Sequence, residues 1–354
     1  MRYPEFLKEN GTIGFVAPAF GCNIQPYRAA FENALKRWQQ EGFSVALGPN
    51  CFLGEGIGIS STPKNCGQEL EAYYLDKNND CLISCGGGEL MCEILEYIDF
   101  TVIKEADPKW FLGYSDNTNM TFLLTTLCDT ASIYGPCAAA FGMEPRHPAI
   151  LDTMDVLMGK KRILESYDKW EKESLKDEEH PLMPYNCTQD SHIRYYVPQV
   201  GIDGSQTDLI LAKGCEMEGR LIGGCMDCLV NLLGTRFDKV KDFLQKYKED
   251  GFIWFLESCD LNVFSIRRAM WQMEQAGWFE YVKGFLIGRP LVYGQEMMGL
   301  DQYEAVLPTV RRHGVPVIMD ADLGHLPPAM PLVSGSYAKI QSKNGRLKIE
   351  MTYR

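Results

Sequence analysis

Long apolar runs are absent from this sequence, in which no stretch approaches the roughly 20 apolar residues of a membrane-spanning helix. Residues 1–10 contain neither a continuous apolar segment nor a small-residue cleavage site, so we expect no signal peptide. Basic residues are in the minority, with 35 lysines and arginines against 47 acidic residues and a net charge of −12. Nucleic-acid backbones bind to positive surfaces, so this acidic balance argues against a nucleic-acid partner. Because we find no signal peptide and no membrane-spanning segment, we expect a cytoplasmic protein that does not bind membranes.

Cysteine is plentiful, but its distribution is not that of a disulfide scaffold. The 13 cysteines are odd in number, and most lie in apolar segments where a thiol packs as a small apolar side chain. Cys225 and Cys228 form a Cys-x-x-Cys pair without a second pair at zinc-ribbon spacing. We interpret this pair as packing on one face of a helix, with a redox or metal site as the alternative.

The first half of the chain alternates between strand and helix patterns. Apolar strand patterns at 12–18, 44–47, 81–84 and 110–112 are separated by helix patterns such as the amphipathic segment 26–41. The alternation predicts a parallel sheet with helices on both faces, the doubly wound α/β fold. We place this N-terminal domain at residues 1–157.

Residues 158–200 are rich in charge and weak in periodicity, and we interpret them as an interdomain linker or a solvated lid. Trp170 in this segment either anchors the linker by partial burial or covers a substrate. Residues 201–354 return to apolar strand patterns and helices, which predicts a smaller C-terminal α/β domain. Two domains agree with the length of the chain, 354 residues.

Ser115 lies where a strand pattern changes into a helix pattern, in the sequence Gly113-Tyr-Ser-Asp-Asn117. A serine on such a turn presents its hydroxyl beside backbone N–H groups at the helix start, as the nucleophile of a serine hydrolase does. The usual motif is Gly-x-Ser-x-Gly, and Asn117 replaces its second glycine. The alternative is that Ser115 or Asp116 only caps the helix.

Two residues that could assist a nucleophilic serine also follow strand patterns. Glu257 ends an apolar strand pattern, and His325 lies on a Gly/Pro-rich loop that follows a second apolar strand pattern. Of the five histidines, His325 alone has surroundings that would fix an imidazole. A serine needs a base, and the base needs a carboxylate that orients it. Active sites of open α/β sheets collect at the carboxyl ends of strands. The alternatives are an ion pair of Glu257 with Arg267 or Arg268, and a loop-capping role for His325.

Together, these features resemble one family of serine peptidases, the LD-carboxypeptidases and microcin C self-immunity proteins. The resemblance covers nearly the whole chain through Ile13–Pro18, Cys85–Gly88, Gly113–Asp116, Tyr134–Pro136, Gly219–Gly224, Phe255–Glu257 and Gly324–His325, which occur in the family's order. It implies a Rossmann- or flavodoxin-like N-terminal domain that carries the serine. The C-terminal domain would carry the glutamate and the histidine.

The resemblance also implies how the residues act. Ser115 would be the nucleophile, His325 the general base and then acid, and Glu257 the group that orients His325. The backbone N–H groups of Gly87 and Asp116 would form the oxyanion hole. Family members need no metal or organic cofactor, and they are usually homodimers.

Two departures from the murein-recycling members point to the microcin-immunity-like branch. The glycine turn reads Cys85-Gly-Gly-Gly-Glu89 instead of Arg-Gly-Gly-Tyr-Gly, and the 158–200 connector is longer. The substrate is then either a murein peptide or a peptidyl-nucleotide of microcin C type. Trp170 is a candidate to stack on the nucleobase, and Glu89 would repel an anionic substrate group.

Two functions of other classes are the alternatives to a serine hydrolase. One is a non-catalytic binding protein for nucleotides or peptidoglycan fragments on the same fold. The other, a dinucleotide oxidoreductase, is disfavoured because residues 86–88 are not part of a Gly-x-Gly-x-x-Gly motif.

Overall fold

The computed structural model describes residues 1–200 and 206–354. In chain order, the strands are β1 (Thr12–Val16), β2 (Ser44–Leu47), β3 (Cys81–Ser84), β4 (Trp110–Gly113), β5 (Ser132–Tyr134), β6 (Ile163–Glu165), β7 (Lys169–Glu171), β8 (Cys187–Asp190), β9 (Arg194–Val200), β10 (Gln206–Leu211), β11 (Gly214–Cys225), β12 (Phe252–Glu257), β13 (Val282–Gly288), β14 (Val317–Ala321), β15 (Leu332–Ser334), β16 (Tyr337–Lys343) and β17 (Arg346–Thr352).

The α-helices are α1 (Tyr27–Gln40), α2 (Pro63–Leu75), α3 (Phe100–Glu105), α4 (Thr118–Thr126), α5 (Pro148–Leu157), α6 (Met226–Leu232), α7 (Val240–Lys246), α8 (Val263–Gln275) and α9 (Gln302–His313). The described residues also contain 3-10 helices at Met91–Tyr97, Ser115–Asn117 and Ala138–Gly142. Within the described ranges, no helix combines the length and the apolar character that crossing a membrane requires.

The N-terminal unit comprises Met1–Lys161, Glu173–Asn186 and Met330–Ser334. Its sheet has the order β15-β5-β4-β3-β1-β2, parallel throughout except for β15, which runs antiparallel to β5. The order 2-1-3-4-5 of its parallel strands is that of a flavodoxin-like fold. The predicted doubly wound domain is therefore confirmed, and its switch point lies between β1 and β3, where the glycine turn follows β3.

The C-terminal unit comprises Arg162–Lys172, Cys187–Ala329 and Gly335–Arg354. Its nine-stranded sheet has the order β10-β9-β14-β13-β12-β11-β16-β17-β6. Strands β11 to β14 are parallel to one another, and antiparallel strands flank them on both sides. The parallel centre brings the carboxyl ends of β11, β12 and β14 to one edge of the sheet, and the second α/β fold that the sequence predicts is confirmed.

The predicted connector, residues 158–200, contains strands β6 to β9. Strand β6 pairs with the C-terminal strand β17, and β7 pairs with β8. Residues 173–186 of this segment belong to the N-terminal unit, and its residues 162–172 and 187–200 belong to the C-terminal unit. The boundaries at 157 and 200 and the lid role stay predictions.

Trp254 on β12 is the centre of an aromatic cluster in the C-terminal unit. Its ring is fully buried and stacks on Trp278, with 5.8 Å between the ring centroids. Phe279 meets the same ring edge-on at 5.5 Å. This cluster supports the strand that ends in Glu257.

Replacing Trp254 with alanine should lower the free energy of unfolding by about 3–5 kcal/mol, because it removes a large buried ring and leaves a cavity. Urea unfolding followed by far-ultraviolet circular dichroism measures this change. Trp271→Ala is the matched control, since Trp271 is 57% exposed on α8 and should cost much less. Equal losses in the two variants would contradict this description of the core.

Candidate active site

Ser115 occupies a strained turn between strand and helix in the N-terminal unit. Strand β4 ends at Gly113, Ser115 opens the 3-10 turn Ser115–Asn117, and α4 follows directly. The φ angle of Ser115 is +63°, in the left-handed region that residues other than glycine rarely occupy. Because strained backbone of this kind clusters at functional sites, the turn is a candidate for the nucleophile.

Asn117, which replaces the second glycine of the usual motif, is fully buried and connects two turns. Its Nδ2 donates to the carbonyl oxygens of Gly86 at 2.8 Å and Tyr114 at 3.1 Å. A Cβ atom at Gly113 would lie 2.8 Å from that of Asn117, so the close approach requires glycine there. Asn117 thus holds the serine turn against the glycine turn, a role that the sequence analysis missed.

The glycine turn runs past the serine side chain. A Cβ atom added to Gly87 would lie 3.1 Å from both Cβ and Oγ of Ser115, so any larger residue would crowd the hydroxyl. Glu89 is exposed at the end of this turn, and its N–H donates to the carbonyl oxygen of Gly58 at 3.1 Å. The structure therefore brings Gly87 and Ser115 together, as an oxyanion hole would need.

The Asp116 carboxylate anchors the serine turn. It is buried, and it accepts hydrogen bonds from the Met91 N–H at 2.8 Å and from Asn119 Nδ2 at 3.0 Å. The backbone N–H of Asp116 lies in the first turn, at the N-terminal end of the helical segment. Its role as an oxyanion donor, like that of Gly87, stays a prediction.

Glu257 and His325 form a buried pair in the C-terminal unit. The Glu257 side chain is fully buried at the end of β12, and its Oε2 lies 2.7 Å from Nδ1 of His325, whose side chain is 13% exposed. Arg267 donates to the Glu304 carbonyl oxygen and Arg268 to Ser265 Oγ. The partner of Glu257 is therefore the histidine, 68 residues further along the chain.

Two glycines let the His325 loop approach Glu257. Gly324 has a φ angle of +99°, and a Cβ atom there would lie 2.5 Å from Glu257 Oε2. At Gly288, the end of β13, a Cβ atom would lie 2.3 Å from the Leu323 carbonyl oxygen and 3.0 Å from Glu257 Cβ. Any side chain at Gly288 or Gly324 would clash with these atoms, so the close approach of His325 to Glu257 requires glycine at both positions.

The charge of Glu257 determines the proton affinity of His325. Burial alone would lower the pKa of the imidazole, but the adjacent negative charge and hydrogen bonds to Cys259 and Glu257 outweigh burial and raise the pKa well above its ordinary value. Asp227 supports this arrangement because its carboxylate accepts from the N–H groups of Cys259 at 3.0 Å and Asp260 at 2.8 Å. Sequence reasoning found neither Cys259 nor Asp227, since neither has a recognisable motif.

The predicted packing of Cys225 and Cys228 on one helix face is wrong for Cys225. Cys225 is the last residue of β11, and Cys228 lies in α6. The strand end places Cys225 beside Glu257 in the register of β11 and β12. Its Sγ and the ligand atoms of Glu257 and His325 all lie within 4.8 Å of one another, so these three side chains could hold a metal ion.

Trp170 on β7 is 5% exposed. Tyr293 meets its ring edge-on at 5.0 Å, and the Arg289 guanidinium lies 5.1 Å from its centroid. Arg289 and Asp322 form a fully buried ion pair next to it. The ring is thus enclosed by its own unit, and stacking on a nucleobase stays a prediction.

The sequence matches the LD-carboxypeptidase N-terminal domain over residues 13–135 and the LD-carboxypeptidase C-terminal domain over residues 218–340. The chain belongs to the LD-carboxypeptidase family. Ser115 and Gly87 lie in the N-terminal match, and Glu257 and His325 lie in the C-terminal match.

Relatives within this family are similar over nearly their whole length. A putative carboxypeptidase of Vibrio cholerae is 24% identical, with 99% of this chain and 98% of the relative covered. The microcin C7 self-immunity protein MccF of Escherichia coli is 23% identical over 98% of this chain and 95% of its own. A structure of MccF in complex with glutamyl sulfamoyl guanosine has a TM-score of 0.78 at 20% identity, covering 99% of this chain and 98% of its own. At this identity, the structural likeness shows a shared fold.

Replacing Glu257 with glutamine should lower the pKa of His325, because burial remains while the negative charge that favours the imidazolium is removed. Proton NMR titration of the imidazole resonances measures the shift. With five histidines in the chain, the spectrum of His325→Gln identifies the resonance. Glu274→Gln is the control, since Glu274 pairs with His313 at 3.2 Å. An unchanged His325 pKa in Glu257→Gln would contradict the electrostatic coupling.

Proposed function

We propose that this protein is a serine hydrolase that cleaves a C-terminal amide or peptide bond through an acyl-enzyme. Ser115 is the nucleophile, His325 the general base and acid, and Glu257 the orienting carboxylate. The observation that carries this proposal is the buried 2.7 Å hydrogen bond between Glu257, at the end of β12, and His325, on the loop after β14. Membership of the LD-carboxypeptidase family and the strained serine turn support it.

The first step forms the acyl-enzyme. Ser115 Oγ attacks the carbonyl carbon of the scissile bond, and Nε2 of His325 takes the hydroxyl proton. Nδ1 faces a carboxylate, which only accepts hydrogen bonds when ionised, so Nδ1 carries a proton. Because the pKa of His325 is raised, Nε2 is unprotonated and acts as base only at pH values above that raised pKa. Glu257 then stabilises the imidazolium that forms.

Backbone N–H groups stabilise the negative charge that develops on the carbonyl oxygen. Gly87 and Asp116 are the proposed donors, since they lie next to Ser115 and require no side-chain movement. The imidazolium then donates its proton to the leaving group. Water attacks the ester with His325 again as base, which releases the acid and restores Ser115.

Two classes of substrate fit a member of this family, a murein peptide and a peptidyl-nucleotide of microcin C type. Glu89 is exposed at the glycine turn and would repel an anionic substrate group placed against it. Stacking of a nucleobase on Trp170 would require Arg289 to leave one face of the ring. A homodimer and a cytoplasmic location remain expectations from the resemblance and from the sequence.

Replacing Ser115 with alanine should lower kcat by about 10³-fold or more while the fold is kept, because the covalent step is lost. Steady-state hydrolysis and circular dichroism measure the two properties. Ser174→Ala, an exposed serine, is the control and should leave kcat unchanged. Near-normal hydrolysis by Ser115→Ala would contradict the assignment of the nucleophile.

The substrate class can be assigned by offering a murein tetrapeptide and a peptidyl-acyl-adenylate analogue side by side. We expect cleavage of the adenylate analogue, and mass spectrometry of the products locates the broken bond. Cleavage of only the tetrapeptide would place the chain with the LD-carboxypeptidases proper. Binding of either compound without cleavage would favour the alternative, a non-catalytic binding protein.

A further inference from the structure

Cys225 is a third ionisable side chain at the Glu257–His325 pair, and the proposed reaction does not use it. It ends β11, and the strand register pairs it directly with Glu257, the end of β12. Its side chain is 1% exposed. The structure thus places a thiol, a carboxylate and an imidazole at one sheet edge.

These three groups have the chemistry and the spacing of a zinc site. Thiolate sulfur, imidazole nitrogen and carboxylate oxygen are the ligands that Zn²⁺ prefers in proteins. Ligand atoms of a tetrahedral Zn²⁺ lie about 3.4–3.6 Å apart, given bond lengths of roughly 2.0–2.3 Å. The ligand atoms of the three side chains lie within 4.8 Å of one another, and Nδ1 of His325 is 2.7 Å from Oε2 of Glu257, so shifts of about 1 Å per atom suffice.

We infer that Cys225, Glu257 and His325 form a binding site for Zn²⁺ or a similar thiophilic divalent cation. The ion takes the place of the hydrogen bond between His325 and Glu257, and water completes the tetrahedron. Binding releases the thiol proton of Cys225 to solvent. The neutral imidazole coordinates through Nδ1, and its proton moves from Nδ1 to Nε2; an imidazolium releases its second proton to solvent. His325, with 13% of its side chain exposed, is where the ion enters.

The consequence for catalysis follows from the shared ligands. When His325 coordinates the ion, it no longer has Glu257 as its hydrogen-bond partner. It therefore cannot take the proton of Ser115, and the bound ion inhibits hydrolysis. This inhibition rests on the proposed function, whereas binding of the ion does not. The cation therefore acts as a reversible inhibitor, and it is not a cofactor.

Two neighbouring thiols provide matched controls. Cys228 is the other half of the Cys-x-x-Cys pair and forms a side-chain hydrogen bond with Cys225. Cys259 interacts with His325. Among the described residues, the ligand atoms that all lie within 4.8 Å of one another are those of Cys225, Glu257 and His325, and neither of these two thiols belongs to the group.

Cobalt titration of the whole chain tests the site without any substrate. Co²⁺ bound by a thiolate gives a sulfur-to-cobalt charge-transfer band in the near ultraviolet, and Zn²⁺ should displace it. Cys225→Ser should abolish this band and weaken binding at least ~10-fold, while Cys228→Ser and Cys259→Ser should keep both. His325→Gln and Glu257→Gln should weaken binding and keep the sulfur signal, and they serve as the test if Cys225→Ser does not fold.

Several results would overturn the inference. These are the absence of the band in the wild-type chain, its survival in Cys225→Ser, and its loss in Cys228→Ser. With an active substrate, Zn²⁺ should inhibit hydrolysis, EDTA should restore it, and Cys225→Ser should be at least ~10-fold less sensitive. If no substrate is cleaved, the cobalt titration still shows whether the metal ion binds. A failure of the proposed hydrolase function is therefore distinguished from a failure of the proposed metal site.

Discussion

The hydrogen bond between His325 and Glu257 is the interaction on which the rest of the site depends. A fully buried carboxylate is stable only with a close partner, because its desolvation costs several kcal/mol or more. The apolar strand β12 and the aromatic cluster at Trp254 fix where Glu257 lies, and Gly288 and Gly324 admit the loop that brings the partner. The hydrogen bond to His325, the proposed base, thus also satisfies the buried carboxylate at the end of the central strand.

Much of the fold is readable from the sequence, because buried parallel strands and amphipathic helices have strong periodic patterns. The segment predicted as a helix at 26–41 is α1, with Ala30, Phe31, Ala34 and Trp38 on its buried side. The strands of residues 158–200 were not predicted, since β6 to β8 are only three or four residues long and β6 is stabilised by a distant partner, β17. Strand β15 was missed because it is three residues long and joins the first sheet from near the end of the chain.

The site was predicted in part. Ser115, Glu257 and His325 each stand out locally, at a turn or at a strand end, and the structure joins the last two. The supporting contacts were not predictable, because they connect residues without motifs and far apart in sequence. Asn117 lies 31 residues from Gly86, to which it donates, and Cys225 reaches Glu257 only through the register of neighbouring strands. A Cys-x-x-Cys spacing suggests that both thiols share a helix face, but Cys225 is the last residue of β11 and only Cys228 lies in a helix.

The central claim is that Ser115 is a nucleophile activated by His325 and Glu257. Its most direct test is labelling of the native chain with a fluorophosphonate, which reacts with activated serines, followed by peptide mapping. The account predicts one phosphonate on Ser115, with labelling strongly slowed in His325→Gln and Glu257→Gln. Labelling of another residue, or equal labelling of Ser115 in wild type and His325→Gln, would contradict it.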